Sequence, residues 1–264
     1  LIEDCRASSY YYNVDIDRCV FRANTLNCGE IKSASVQGIV DLNGEKLILR
    51  DTLFESNSTI GELDDGATEQ TLMASCVTIM QNSNKPVILN CSFVSNSVVT
   101  ATESYLLKKG CVVLQGNEFS RSVALVNCAF KDNRGAADFC CFNQAGKAYP
   151  DRISVAVVNS IFSGADESYV PFEIDAEIKP FIANSNIMNF DPDPNLINAK
   201  SPLSTLTALD PKFARVRTGD NGVSALMLKS ESPLSKAGCV VYRSQSGEYW
   251  IKAPETLWKL RCMT

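Results

Sequence analysis

The chain has 264 residues, of which 45% are hydrophobic and 21% charged, so it is long enough for one large domain or two small ones. Its net charge of −5 argues against a nucleic-acid partner, and no apolar segment approaches the roughly 18–20 residues that span a bilayer. The sequence has no histidine, which excludes Ser-His-Asp and Cys-His catalysis and most transition-metal sites. We therefore expect neither a bound metal nor a cofactor.

The strongest pattern is an internal repeat of six residues. Its first position is Ile, Leu or Val, its third is polar, its fourth is Cys, Thr or Ser, and its sixth is Phe in all copies but the last. The copies span residues 16–21, 49–54, 88–93, 125–130, 157–162 and 182–187. In the first four copies an asparagine follows three residues after the phenylalanine, at Asn24, Asn57, Asn96 and Asn133.

A second short segment precedes each copy after the first, and it is rich in β-branched residues and bounded by Gly, Asn and Ser, as strands are. These segments are residues 38–42, 76–80, 111–114, 139–142 and 172–175. No segment of useful length has the 3.6-residue period of a helix, so we expect little helix.

Short strands that recur with the same side chain in the same position predict an all-β parallel solenoid. A β-propeller is the competing repeat architecture, but it needs four strands in each repeat. Like residues of a parallel solenoid stack about 4.8 Å apart along the axis. We therefore expect Phe21, Phe54, Phe93 and Phe130 to form an internal aromatic stack, and the four repeat asparagines to form an asparagine ladder at a sharp turn.

The eleven cysteines are interpreted mainly as small buried hydrophobic residues, because most of them fall on repeat positions. These are Cys19, Cys91 and Cys128 in the first strand type, and Cys76, Cys111 and Cys140 in the second. A secreted disulfide framework is the alternative. The disulfides we expect lie outside the repeat: Cys239 with Cys262 first, and Cys5 with Cys28 second.

The F-x-x-N motifs at 21–24, 54–57, 93–96 and 130–133 resemble the repeats of polymorphic outer-membrane-protein-like bacterial β-helices. The segments 210–213, 226–228 and 232–238 are similar to the closing part of secreted pectin-lyase-like proteins. The resemblance implies a single-stranded right-handed parallel β-helix with a C-terminal cap, extracellular or on a bacterial cell surface. It says little about function, because this fold hosts adhesins, tailspikes, lyases and hydrolases alike.

The repeat pattern stops near Met188, where prolines become frequent. We therefore predict β-helix rungs over residues 1–188, and a last rung, cap and tail over 189–264. Because the chain starts without Met or a signal peptide, we expect a truncated or processed product whose native polypeptide extends upstream. Trp250 and Trp258 are predicted to belong to the cap, or alternatively to a docking surface.

Alternation along the second strand type predicts which of its residues face the core. The inward residues are then Leu42, Met80, Leu114 and Phe142. The outward residues are Asp41, Ile79, Val113, Cys141, Ile39, Val77, Cys111 and Phe139, and seven of these eight are apolar. Such a face favours contact with another chain and argues against a sugar-binding cleft. Polar site candidates are Asp41 on that face, and Asp132 with Arg134 after the fourth copy.

These patterns predict a non-catalytic protein that acts in adhesion or extracellular assembly. Its partner would be another protein or a second copy, bound through the apolar sheet face or the cap, and a glycan is a further candidate ligand. The first alternative is a polysaccharide lyase or glycoside hydrolase with a loop-borne Asp/Arg site. The second is a tailspike-like receptor-binding protein, which would be a trimer. The sequence leaves catalysis open and favours its absence.

Overall fold

The structure is a computed structural model. It describes residues 13–259 except the segments 33–35, 43–45, 80–85, 117–120, 144–152, 165–167, 191–192, 194, 215–216, 219–223, 236, 239, 244–248 and 253–256. The described residues are all-β, and their helical content is a 3-10 turn at Leu203–Thr205. Low helix content was predicted, because no segment carries a helical period.

The strands fall into groups that we call rungs, one for each sequence repeat. The first rung contains β1 (Asn13–Asp17), β2 (Val20–Arg22), β3 (Thr25–Ile31), β4 (Val36–Gln37) and β5 (Val40–Leu42). The second contains β6 (Lys46–Arg50), β7 (Leu53–Glu55), β8 (Ser58–Leu63) and β9 (Thr71–Ile79), and the third contains β10 (Val87–Leu89), β11 (Ser92–Val94), β12 (Ser97–Val99) and β13 (Leu107–Gly116). The fourth contains β14 (Arg121–Val126), β15 (Ala129–Lys131) and β16 (Ala137–Asn143), the fifth β17 (Ile153–Val158), β18 (Ile161–Ser163) and β19 (Phe172–Ile174), and the sixth β20 (Phe181–Ala183) and β21 (Asn186–Ile187).

Corresponding strands of successive rungs pair in parallel and form four stacked sheets. Sheet A has the order β1-β6-β10-β14-β17-β20, and sheet B has the order β2-β7-β11-β15-β18-β21. Sheet C is β3-β8-β12, and sheet D is β4-β9-β13-β16-β19, with β5 also paired to β9. This stacking is consistent with a parallel β-solenoid, as the repeat predicted.

The sharp corner between sheets A and B explains the polar third position of the repeat. The residue there has a positive φ of about 50° in every rung, at Arg18, Asp51, Asn90, Asn127, Asn159 and Asn184. Asparagine and aspartate tolerate this left-handed conformation better than other non-glycine residues do. The residue at the fourth position lies at the same corner, and its hydroxyl can bond the carbonyl two residues earlier. The Thr52 hydroxyl donates to the Arg50 carbonyl at 2.8 Å, and the Ser160 hydroxyl donates to the Val158 carbonyl at 3.0 Å.

The predicted aromatic stack is confirmed. The rings of Phe21, Phe54, Phe93, Phe130 and Phe162 follow one another with centroids 4.5–5.2 Å apart and planes within 9° of parallel. Strand register places the same five phenylalanines opposite each other in sheet B. One column of the interior is therefore built from identical side chains.

The predicted asparagine ladder is also confirmed, at the corner between sheets B and C. The side-chain amides of Asn24, Asn57 and Asn96 each donate to Oδ1 of the next asparagine, at 2.9–3.0 Å, and the last acceptor is Asn133. Each backbone N–H donates to the same oxygen at 2.9–3.1 Å. Since Asn57 and Asn96 are fully buried, these bonds satisfy polar groups that water cannot reach.

Register in sheet D differs from the prediction. The outward column is Asp41, Thr78, Val113, Cys140 and Glu173, whereas Leu42, Ile79, Leu114 and Cys141 face the core. Six residues predicted to face outward belong to the core: Ile39, Val77, Ile79, Cys111, Phe139 and Cys141. Phe142, predicted to face inward, packs on the outer side instead, and Met80 lies outside the described residues.

The predicted apolar outward face is consequently wrong in composition and in exposure. The apolar residues on the outer side of sheet D form a cluster of Leu72, Ala74, Val113, Ala137, Cys140 and Phe142, and all six are buried. The sequence misleads here because both faces of these strands are covered, so apolar residues do not alternate with polar ones. A β-bulge between Gly110 and Val112 further breaks the alternation.

Six of the described cysteines are buried thiols, namely Cys76, Cys91, Cys111, Cys128, Cys140 and Cys141, and Cys19 is half-buried. Burial of the repeat cysteines is thus confirmed for all but Cys19. Cys140 differs from Cys76 and Cys111 because it lies on the outer side of sheet D. Cys5, Cys239 and Cys262 lie outside the described residues, so both expected disulfides stay predictions.

After Ile187 the described strands pair in antiparallel fashion. They are β22 (Arg217–Thr218) with β23 (Ser224–Ala225), and a sheet of β24 (Val240–Arg243), β25 (Tyr249–Lys252) and β26 (Leu257–Lys259). Trp250 lies on β25 and Trp258 on β26. The Leu226 N–H donates to Ser92 Oγ at 3.1 Å, so this part of the chain lies against sheet B.

Candidate functional site

A groove opens at the fourth rung, where sheet C ends. In the second and third rungs the chain forms β8 and β12 and then a loop before it enters sheet D, but in the fourth rung residues 132–136 lead directly from β15 to β16. Gly135 has φ +75°, and a Cβ atom there would lie 2.0 Å from the Val98 carbonyl oxygen. Only glycine therefore allows this short connection to fold against β12.

The groove has a volume of about 420 Å³ and is lined by both polar and apolar groups. Its lining residues come from the third, fourth and fifth rungs: Lys109, Asp132, Asn133, Arg134, Gly135, Ala136, Ala137, Gly164, Ser168, Tyr169, Val170 and Glu173. The abrupt change in loop length between neighbouring rungs leaves the space that forms it.

Charges of both signs line the groove. Lys109 Nζ lies 2.9 Å from Glu103 Oε1, and Lys131 pairs with Asp132. Arg134 and Glu173 are exposed, and neither makes an ion pair within the described part of the chain. The groove thus presents one guanidinium and one carboxylate that are available to a ligand.

Behind the groove lies a buried carboxylate, Asp138, at the end of the asparagine ladder. Its Oδ1 accepts from Asn133 Nδ2 at 2.8 Å, and its Oδ2 accepts from the Tyr169 hydroxyl. Burial raises the pKa of Asp138 to about 7, although both hydrogen bonds favour the charged form. Asp138 thus takes the place of a fifth asparagine in the ladder, because it accepts the hydrogen bond that the side-chain amide of Asn133 donates.

Tyr169 forms the wall between this carboxylate and the groove. It is buried, and its ring lies so close to Gly164 that a Cβ atom on Gly164 would be 2.1 Å from it. Burial and the neighbouring charge of Asp138 raise the pKa of the Tyr169 hydroxyl. Tyr169 therefore acts as a neutral hydrogen-bond donor to Asp138.

The structure brings two of the sequence candidates together, since Asp132 and Arg134 both line the groove. Asp41 lies in the same outward column of sheet D as Glu173, with β9, β13 and β16 between them, and accepts from the Thr78 hydroxyl. Asp41 is therefore not part of the groove. Trp250 and Trp258 are described only as members of the C-terminal antiparallel sheet, which does not test their predicted role.

Sequence reasoning missed four residues of this region: Lys109, Asp138, Tyr169 and Glu173. A signal existed for Asp138, because it is a single carboxylate inside the apolar run 136–142, and a buried charge needs partners. Lys109 lies 60 positions before Tyr169, and Tyr169 and Glu173 lie in a short segment where no local pattern links them to the groove.

The described residues hold no cluster of three or more Cys, Asp or Glu side chains that would bind a metal ion. They also contain no helix with the length and hydrophobicity required to cross a membrane. Comparisons with models of protein families, with curated proteins and with solved structures give no match. The function is therefore argued from the groove itself.

Proposed function

We propose that the protein is a non-catalytic right-handed parallel β-helix of the secreted or surface-displayed type, which acts in adhesion by binding a polar ligand in the groove. The observation that carries the proposal is the groove at the end of sheet C, with the available Arg134 and Glu173. The parallel sheets and the F-x-x-N repeats support the β-helix, and parallel crossover connections are nearly always right-handed.

The chemistry of the lining suits a glycan. The Arg134 guanidinium donates hydrogen bonds to sugar oxygens, and the Glu173 carboxylate accepts them from sugar hydroxyls. The walls lie on strands and short turns of a hydrogen-bonded stack, so they are held in place before a ligand arrives. Such a preformed groove favours reversible recognition.

The burial of Asp138 and the ion pair of Asp132 favour binding over catalysis. A general acid must contact the bond it protonates, and its pKa must lie near the working pH. Asp138 has the raised pKa, but it is fully buried and both its oxygens are occupied by Asn133 and Tyr169. The Asp132 carboxylate is paired with Lys131. The carboxyl group with the raised pKa therefore lies behind the wall of the groove.

A glycan array probed with the full chain, followed by titration of the bound glycans, tests this function. We expect Arg134→Ala and Glu173→Ala each to weaken binding at least about tenfold, because each removes a charged hydrogen-bonding partner. Matched controls are Arg22→Ala and Glu55→Ala, which remove an ion pair of sheet B in the first two rungs and leave affinity unchanged. The absence of any bound glycan, or equal losses in the controls, would contradict the proposal.

The second candidate is a glycoside hydrolase or polysaccharide lyase, favoured by the presence of Asp132 and Glu173 together with two basic residues in one groove. Incubation of each bound glycan with the protein distinguishes it, because catalysis produces new reducing ends or unsaturated sugars. That activity would also be lost in Asp132→Asn. A tailspike-like receptor-binding protein would instead sediment as a trimer.

A further inference from the structure

Two buried cysteines of neighbouring rungs are in direct contact. Cys76 lies on β9 and Cys111 on β13, 35 positions apart in the chain, and their Sγ atoms are 3.3 Å apart. Both side chains belong to the core of the solenoid and are at most 2% exposed. We propose that Cys76 and Cys111 form a disulfide that links the second and third rungs when the chain folds under oxidising conditions.

The β-bulge in sheet D creates this contact. Ala74 pairs with Gly110 and Val77 with Val112, so two residues of β9, Ser75 and Cys76, lie opposite the single residue Cys111. Adjacent strands are about 4.8 Å apart, which lies within the range of Cα separations that a disulfide bridges. Closure from 3.3 Å to the bond length of about 2.05 Å needs small side-chain rotations and no change of register.

A second buried pair provides the contrast. Cys91 and Cys128 also occupy equal positions of neighbouring rungs, but their thiols donate to backbone carbonyls. Cys91 Sγ lies 3.3 Å from the Leu89 oxygen, and Cys128 Sγ lies 3.4 Å from the Ile88 and Val126 oxygens. The thiol of Cys111 instead donates to the sulfur of Cys76. Proximity in the stack is common to both pairs, whereas the sulfur–sulfur contact is specific to Cys76 and Cys111 among these four residues.

The bond forms while the chain is still open. Burial, followed by the contact with Cys76, raises the pKa of Cys111 well above its usual range, so the folded interior contains almost no thiolate to react. During folding, one protein thiolate attacks oxidised glutathione and releases one reduced glutathione, which leaves a mixed disulfide. The second protein thiolate attacks that disulfide and releases the second glutathione. Two protein thiols thus lose two electrons and two protons, and one glutathione disulfide is reduced to two thiols.

The test is refolding of the full reduced chain in a buffer of oxidised and reduced glutathione, and in parallel with excess reductant. Remaining thiols are then alkylated, and the peptides are mapped by mass spectrometry without reduction. We expect a Cys76–Cys111 linked peptide in the oxidised sample alone. The proposal fails if both cysteines are recovered alkylated from that sample, or if Cys91–Cys128 is linked to the same extent.

Stability provides a second readout. The linked chain should melt roughly 4–8 °C higher than the reduced chain, because the bond restricts the unfolded state. Cys111→Ser should lose this oxidant-dependent shift, whereas Cys128→Ser, an equally buried control, should keep it. If either variant does not fold, the peptide map of the unmodified chain still decides the question. None of these measurements involves the groove, so the result is independent of ligand binding.

Discussion

The phenyl ring of Phe93 lies in the middle of the aromatic stack, with centroids 5.2 Å from Phe54 and 4.5 Å from Phe130. Alanine would leave a cavity that the neighbouring rungs cannot close without losing strand register. We expect Phe93→Ala to lower the free energy of unfolding by about 3–5 kcal/mol, as measured by urea denaturation. Tyr105→Ala is the control, because Tyr105 is 83% exposed, and its effect should stay within about 0.5 kcal/mol. Equal losses would contradict the stack.

Asp138 makes the stability of the folded chain depend on pH. The pKa of Asp138 is about 7 in the folded chain, while an aspartate in an unfolded chain has a pKa of about 3.9. Between these values the folded state binds more protons than the unfolded state, so this residue makes stability fall as pH rises from 4 to 7. The loss is on the order of 4 kcal/mol, and it is absent below pH 4.

Asp138→Asn removes this titration, so the stability of the variant relative to the unmodified chain should increase as pH rises from 4 to 8. Tyr169→Phe removes a hydrogen bond that favours the charged form, which raises the pKa of Asp138 further, so the loss of stability still begins near pH 4 but extends to higher pH. Urea denaturation at several pH values measures both effects. A constant difference between Asp138→Asn and the unmodified chain would show that Asp138 does not titrate in this range.

Asp132 and Arg134 could be identified as candidates from the sequence because they lie side by side in one turn. Tyr169 could not, because it lies 31 positions from Asp138 and reaches it only when the fifth rung stacks under the fourth. Contacts within a turn follow from local sequence, whereas contacts between rungs depend on the lengths of loops that vary from repeat to repeat.

The buried asparagine ladder has an exposed counterpart at the corner between sheets A and B, formed by the side chains of Asp51, Asn90 and Asn127. Asn96 donates to Asn133 Oδ1 and to the Phe54 carbonyl, and it accepts from the amide and backbone of Asn57. Asn96→Ala leaves these partners buried without hydrogen bonds, so we expect a loss of about 3 kcal/mol or more. Thermal and urea unfolding measure it.

The control is Asn90→Gly, in the exposed ladder where Asn127 donates to Asn90 and Asn90 donates to Asp51. Glycine tolerates the φ of 54° at this position, and water replaces the lost hydrogen bonds, so the loss should stay below about 1 kcal/mol. An equal loss of stability in Asn90→Gly and Asn96→Ala would contradict the view that burial makes the hydrogen bonds of the inner ladder more stabilising.

The two strand types differ in how well the sequence predicts them. In sheets A and B each repeat position has one environment, so Phe93 and Phe130 align in the sequence as they do in space. In sheet D the strands are buried on both faces, so inward and outward positions are both largely apolar. Shifting the assignment of faces by one residue therefore leaves the pattern of polar and apolar positions almost unchanged. That is why the sequence predicts the strand correctly but predicts the wrong faces for Phe139 and Phe142.

In the whole molecule, the groove results from the different lengths of the connections that lead into sheet D in the third and fourth rungs. The fourth repeat copy ends at residue 130 and the next predicted strand begins at residue 139, which indicates a short connection, but the sequence does not show that β12 ends above it or that Glu173 lies below. The parallel stack therefore follows from the repeat, whereas the candidate site arises where the repeat is broken.

A stack in which each rung contacts only its neighbours should open from its ends. Strands β10, β11, β14 and β15 pair on both sides, whereas β1 and β2 pair on one side within the described residues. Opening of an inner rung breaks two interfaces, so we expect backbone amides of β10 and β14 to exchange with solvent at least about tenfold more slowly than those of β1. Native-state hydrogen exchange read by mass spectrometry measures this. Uniform protection along the stack would mean that all rungs open together as one cooperative unit.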